Sequence, residues 1–197
     1  SCLTVFWFVI RSIKYFFVVA PDAIRHLWYW YYCPMLFIPL LSVFVSMSLG
    51  KPESYHLPKW TRLLYLPTLF FLLLVLTNDL HQLVFSFPAG TVWSDTDNGY
   101  EYGYYFVIGW EIICALAAFV IMLIKCRLAQ RRKYLPALLL SCSILYAFIY
   151  ASGARRMQVI GGDITAVQCL MFTAILESCI QCGLIQSNTG YDELFKA

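Results

Sequence analysis

Apolar positions in this chain gather into six runs, at about residues 3–20, 27–49, 63–87, 104–124, 135–151 and 164–185, with polar positions collected between them. Each run has the roughly 17 to 25 residues that a helix needs to cross the hydrocarbon core of a bilayer. The pattern predicts an all-α fold, a polytopic membrane helix bundle with six transmembrane helices. Prolines punctuate it. Pro34 and Pro39 fall inside the second run, where they should bend the helix and free carbonyls for neighbouring helices to satisfy. Pro67 lies in the first turns of the third run and Pro136 in the first turn of the fifth, where a missing N–H costs nothing. The second run opens on Trp28-Tyr29-Trp30-Tyr31-Tyr32, an aromatic group suited to the membrane–water interface.

The third run closes on Leu76-Thr77-Asn78-Asp79-Leu80-His81-Gln82. Read as a continuing helix, Asn78 shares a face with His81 and Gln82, at spacings of three and four. Lipid tails cannot satisfy such a face, so it must meet water, headgroups or a bundle interior. This makes Asn78, Asp79, His81 and Gln82 the leading candidates for contact with a signal, with Trp93, Glu101 and Tyr104 expected nearby. His26, by contrast, reads as an interfacial anchor before the aromatic group, and His56 as a solvated loop residue. His81 equally admits a plain hydrogen-bonding role at a helix end.

Four charged residues fall within apolar runs: Arg11, Lys14, Glu111 and Glu177. Each should face the bundle, pair or snorkel. At about 1.5 Å per residue, Lys14 and Glu111 lie at similar depths, with Arg11 one turn deeper. A pair of Glu111 with Lys14 or Arg11 is expected, serving either packing register or sensing. Glu177 and Gln181, one turn apart near the end of the sixth run, are expected to couple to an output, as are Asp192 and Glu193 beyond it.

Basic residues set the orientation. Lys51, Lys59, Arg62, Lys125, Arg127, Arg131, Arg132, Lys133 and Lys196 fall on one side, and only Arg25, Arg155 and Arg156 on the other, beside the acidic 88–103 loop. The positive-inside rule then predicts a cytoplasmic C-terminus and an outer acidic loop. Both termini of six crossings share a side, and the first run begins without a polar lead-in, an initiator methionine or signal-peptide features. The expectation is one further helix upstream, completing seven.

Composition agrees. The 197 residues are 61% hydrophobic and 13% charged, against about 25% charged in soluble domains. The aromatic content of 18% suits interfacial belts. Of the eight cysteines, most sit in apolar surroundings and read as small packing thiols. Cys179 and Cys182 have CxxC spacing but neither a second pair nor a neighbouring histidine, so no metal site is expected. The sixth run holds no lysine for a retinal Schiff base, and three histidines spread over both faces do not make a membrane zinc hydrolase. No glycine-rich phosphate loop, phosphoacceptor histidine, inverted repeat or nucleic-acid signature is present, and no cofactor is expected.

The Thr77-Asn78-x-x-His81 helix end and the Tyr102-Gly103-Tyr104 entry to the next helix resemble the N-terminal seven-transmembrane sensor region of bacterial membrane histidine kinases. So does the exit from Gly183 to Phe195, and the Leu49-Gly50-Lys51-Pro52-Glu53 loop resembles the clostridial-type branch. The resemblance spans essentially the whole chain. It implies that residues 1–186 are helices two to seven of a sensor bundle and residues 187–197 the start of a cytoplasmic linker. It further implies a bacterial plasma-membrane location, a kinase domain in cis and a homodimer in the full-length protein. With no ATP site or phosphoacceptor, the chain itself is not expected to be an enzyme. Its expected partners are the lipid bilayer and a small ligand or peptide, with no nucleic acid. The competing reading is a small transporter or channel subunit, with Glu111, Asp79 and Arg11 as a charged path.

Overall fold

Most of the apolar runs form helices, because a helix alone satisfies its backbone without water. A computed structural model describes residues 2–49, 51, 55–88, 99–125, 134–151 and 164–181. In chain order these form α1 (Cys2–Phe16), α2 (Pro21–Tyr29), α3 (Tyr32–Ser48), a 3-10 segment (Lys59–Leu64), α4 (Tyr65–Leu76) and α5 (Asn78–His81). A two-stranded antiparallel ladder follows, β1 (Phe85–Ser86) with β2 (Gly99–Tyr100), pairing Phe85 with Tyr100 and Ser86 with Gly99. Then come α6 (Tyr102–Lys125), α7 (Tyr134–Ala151) and α8 (Ile164–Gln181).

Two runs depart from expectation. The second is not one bent helix but two. Pro21 starts α2 at a position that needs no N–H donor, and a turn at Trp30–Tyr31 precedes Pro34, which cannot donate to the preceding turn. Beyond it, hydroxyls of the same helix engage carbonyls: Ser42 donates to Ile38 O at 2.8 Å and Ser48 to Phe44 O at 2.9 Å. The third run does not continue as helix to residue 87. It ends at α5, where Gln82 adopts φ 48° in the left-handed region, and the chain turns extended into β1. The reason is local: side chains at the helix end take over the backbone groups of the next residues, as described below.

Three helical stretches among the described residues are long and apolar enough to cross a membrane: Pro21–Ser48, Lys59–Leu76 and Tyr102–Lys125. The apolar described parts of the last two helices, Pro136–Tyr146 and Leu170–Cys179, are shorter, and α1 has 15 residues, about 22 Å of helix. On α4, Leu66, Leu69, Phe70 and Leu73 are exposed while Leu72 and Val75 are buried, an apolar surface all round as a membrane-spanning helix requires.

The chain divides into two compact units, Ser1–Ser42 with Pro58–Ala115, and Val43–Leu57 with Leu116–Ala197. Within the first, α1 packs on α2, and α2 meets α4. Its core includes Trp7, Tyr29, Tyr31, Leu36, Val75, Phe85, Tyr104 and Val107. Trp110 Nε1 donates to Thr68 Oγ1 at 2.9 Å, while that hydroxyl donates to Leu64 O at 3.1 Å, tying α6 to α4. Within the second unit, α7 packs along α8. The Lys125 ammonium donates to Met47 O and, at 3.2 Å, to Leu49 O. It thereby meets the carbonyls that the C-terminal end of α3 leaves open, where a cation is favoured.

Candidate functional site

The corner where α2, α5 and β1 meet is built around Asn78. Its side chain is buried and uses every hydrogen-bonding position an amide has. Oδ1 accepts from Val84 N at 3.0 Å and Phe85 N at 2.9 Å. Nδ2 donates to Phe85 O at 2.9 Å and to the Tyr29 hydroxyl at 3.3 Å. Asn78 thus imitates a strand edge for residues 84 and 85, and holds the turn after α5 against α2.

His81 continues the same task. Its Nδ1 accepts from Leu83 N at 3.0 Å, and its Nε2 lies 3.2 Å from Thr77 Oγ1. That hydroxyl donates in turn to Leu73 O at 2.7 Å. On the opposite side of the turn, Gly103 N donates to Leu83 O at 2.9 Å. A Cβ at Gly103 would lie 2.6 Å from that oxygen, so the approach of α6 to the turn requires a glycine. The Glu101 N–H donates to Val84 O at 3.0 Å. Residues 83 to 85 are therefore held by Asn78 and His81 from one side and by the start of α6 from the other.

Aromatic rings fill the space behind. Phe85 is fully buried, with the rings of Trp28 at 4.5 Å, Tyr32 at 5.6 Å, Tyr104 at 5.9 Å and Tyr100 at 6.0 Å between centroids. Tyr29 stacks on it at 6.1 Å and 10°, and Tyr100 stacks on Tyr104 at 4.0 Å. Such ring pairs add about 0.5–1.5 kcal/mol each beyond the area they bury.

Asp79 carries the charge of the corner. Its Oδ1 accepts from the Tyr29 hydroxyl at 2.6 Å, and its Oδ2 accepts from Arg25 Nε at 3.2 Å and lies 3.1 Å from Arg25 Nη2. Arg25 also pairs with Asp22 at 3.1 Å, and His26 Nε2 stands 3.6 Å from Asp79 Oδ2. The side chains of Asp79 and Arg25 are 28% and 22% exposed, and that of His26 is 56% exposed. An unbroken chain of polar contacts therefore runs from Phe85 O through Asn78, Tyr29 and Asp79 to Arg25, buried at one end and open to solvent at the other.

The structure sorts the residues singled out by sequence. Asn78, Asp79, His81 and Tyr104 come together at this corner, and Glu101 joins through its backbone. Gln82 does not share a face with Asn78, since it lies outside the helix, exposed, with Oε1 accepting from Phe87 N at 3.4 Å. Trp93, Asp192 and Glu193 lie outside the described residues, and so does Cys182. Glu177 is exposed on α8, which ends at Gln181. Lys14 is buried with its ammonium 5.0 and 5.6 Å from the ring centroids of Tyr15 and Tyr31, and Arg11 lies over Tyr15 at 5.4 Å. Glu111 is buried, and among the described residues no ion pair joins it to Lys14 or Arg11. Comparable depth along two helices does not fix which way their side chains turn. Among the described residues no group of three His, Cys, Asp or Glu side chains is placed to hold a metal.

Sequence reasoning missed Arg25, Tyr29 and Phe85. Arg25 and Tyr29 are four apart on one face of α2, and Arg25 is one of the few cations on the side that the charge distribution predicts for Asp79. That pairing of spacing and charge was a usable signal. Nothing comparable marks Phe85 among so many aromatic residues.

Apolar helices with a polar, hydrogen-bonded corner at the end of one of them define a helical membrane protein. A family model described as the N-terminal 7TM region of histidine kinase matches residues 1–180. The chain belongs to that family, the membrane-located sensor region of histidine kinases. No curated protein and no solved structure matches.

Proposed function

We propose that this chain is the input module of a two-component sensor histidine kinase. It crosses the membrane with the six segments that correspond to helices two to seven of the 7TM region. The C-terminus lies in the cytoplasm, where α8 and the residues around Asp192 and Glu193 lead to the kinase, whose full-length form is a homodimer. The orientation is supported by nine basic residues on one side against three on the other. In that orientation the α2–α5–β1 corner faces outward.

The observation that carries the sensing reading is the Arg25–Asp79–Tyr29 arrangement. A charged contact that is partly open to solvent joins one helix end to another, and its other end is continuous with a buried network. A small ligand, peptide or membrane state that engages Asp79 or Arg25 competes with this contact and so favours one arrangement of α2 and α5 over another. Only such a difference in affinity between two arrangements moves a signalling equilibrium. A contact of about 1 kcal/mol shifts a two-state population by about fivefold.

In the full-length kinase reconstituted in membranes, Asp79→Asn and Arg25→Gln should each change basal autophosphorylation by about fivefold, in the same direction. Activity and stimulus response equal to the unaltered protein in both variants would remove the corner from the signalling path.

A further inference from the structure

His81 ends α5 and His26 faces it from α2, and their surroundings give a proton opposite effects at the two places. Both ring nitrogens of His81 are engaged. The Leu83 N–H can only donate, so Nδ1 accepts; the Thr77 hydroxyl already gives its proton to Leu73 O, so Nε2 carries the ring hydrogen. A second ring proton, on Nδ1, would oppose the Leu83 N–H and remove that bond. Among the described residues no ion pair involves His81, and both oxygens of the neighbouring Asp79 are engaged by α2. Glu101, on the segment after β2, enters through its backbone N–H to Val84 O.

On the α2 side the sign is reversed. His26 Nε2 is 3.6 Å from Asp79 Oδ2, and its ring meets Tyr29 edge-on at 6.0 Å. The charged groups gathered there are Asp79 from α5 and Asp22 and Arg25 from α2 itself, with the Tyr29 hydroxyl bonded to Asp79. Two carboxylates and one guanidinium leave an excess negative charge while His26 is neutral. A proton on His26 balances it and adds an attraction between α2 and α5.

Resting on the sensing role proposed above, we infer that the corner responds to hydrogen ions, which are then the class of signal it reads. Acid releases the turn after α5 through His81 and tightens α5 against α2 through His26. Both changes move the hold on α5 from the β1 side to the α2 side, and raising the pH reverses them.

The test is backbone hydrogen exchange on the purified chain in lipid nanodiscs at about pH 8 and about pH 5.5, corrected for the intrinsic pH dependence of exchange. Acid should lower protection of residues 83–85 by about fivefold or more and raise it across Pro21–Tyr29. His81→Asn, whose amide oxygen can accept the Leu83 N–H without titrating, should abolish the first change. His26→Gln should abolish the second and leave the first. Protection unchanged by pH at both places, or pH changes that survive both substitutions together, would overturn the inference. An acid-dependent exchange pattern beside a flat pH profile of autophosphorylation in the parent kinase would leave the proton response standing and defeat the sensing role instead.

Discussion

At Asn78 four hydrogen bonds leave the amide no capacity for a ligand, and truncating it strips partners from the Val84 and Phe85 amides inside the core. A buried polar group left unsatisfied costs about 1–3 kcal/mol, so Asn78→Ala should destabilise the chain by about 3 kcal/mol, seen as a lower Tm in detergent. Asn78→Asp should also destabilise, because the carboxylate keeps the acceptor but loses both donors to Phe85 O and Tyr29. Gly103 is the second residue without tolerance. Gly103→Ala places a methyl 2.6 Å from Leu83 O, backbone that cannot swing aside as a side chain does. The expected loss is about 1–3 kcal/mol by the same measurement. The two positions explain each other, since both hold the turn at Leu83. Of the motifs that carry the family resemblance, Thr77-Asn78-x-x-His81 and the Gly103-Tyr104 entry turn out to build one joint, and Asp79, Arg25 and His26 beside it are partly open to solvent, as the proposed sensing role requires.

Between elements, the contact to test is that of α2 with α5. Arg25 and Asp79 are partly exposed, and exposed pairs contribute about 1 kcal/mol or less. A double-mutant cycle of Arg25→Gln and Asp79→Asn should therefore return a coupling energy of about 1 kcal/mol that shrinks as salt is raised. Zero coupling at low salt would mean that the two side chains do not hold the elements together. The run over 63–87 broke at Thr77–Gln82 beside polar side chains that replace helical backbone partners, whereas at Trp30–Tyr31 the backbone groups bond within the turn itself, ahead of Pro34. Hydropathy registers the apolar run and is blind to which groups inside it hydrogen-bond, so the run over 63–87 looked continuous although its last turn belongs to a strand and its cap.

For the molecule as a whole, the proposed topology makes a direct prediction. In a background with the native cysteines replaced by alanine, a cysteine at Asp22 should react with a membrane-impermeant maleimide from outside intact cells. One at Lys59 should react only after the membrane is opened, because the positive-inside rule places it in the cytoplasm. The reverse pattern would invert the module and put the α2–α5–β1 corner on the cytoplasmic side.

The sequence by itself determined that this is a helical membrane protein, roughly where its helices run, and which family it belongs to, because hydrophobic length and short motifs are local properties of the chain. It also marked Asn78, Asp79, His81 and the Tyr102-Gly103-Tyr104 entry as belonging together. Only the tertiary structure decided what those residues do. Asn78 and Gly103 spend their hydrogen bonds and their lack of bulk on the turn at 83–85, Asp79 turns to Arg25 and Tyr29, and Lys14 lies over tyrosine rings. Those outcomes depend on side-chain direction across different elements, as far apart in the chain as the 50 residues between Tyr29 and Asp79, and spacing along one helix carries no information about that.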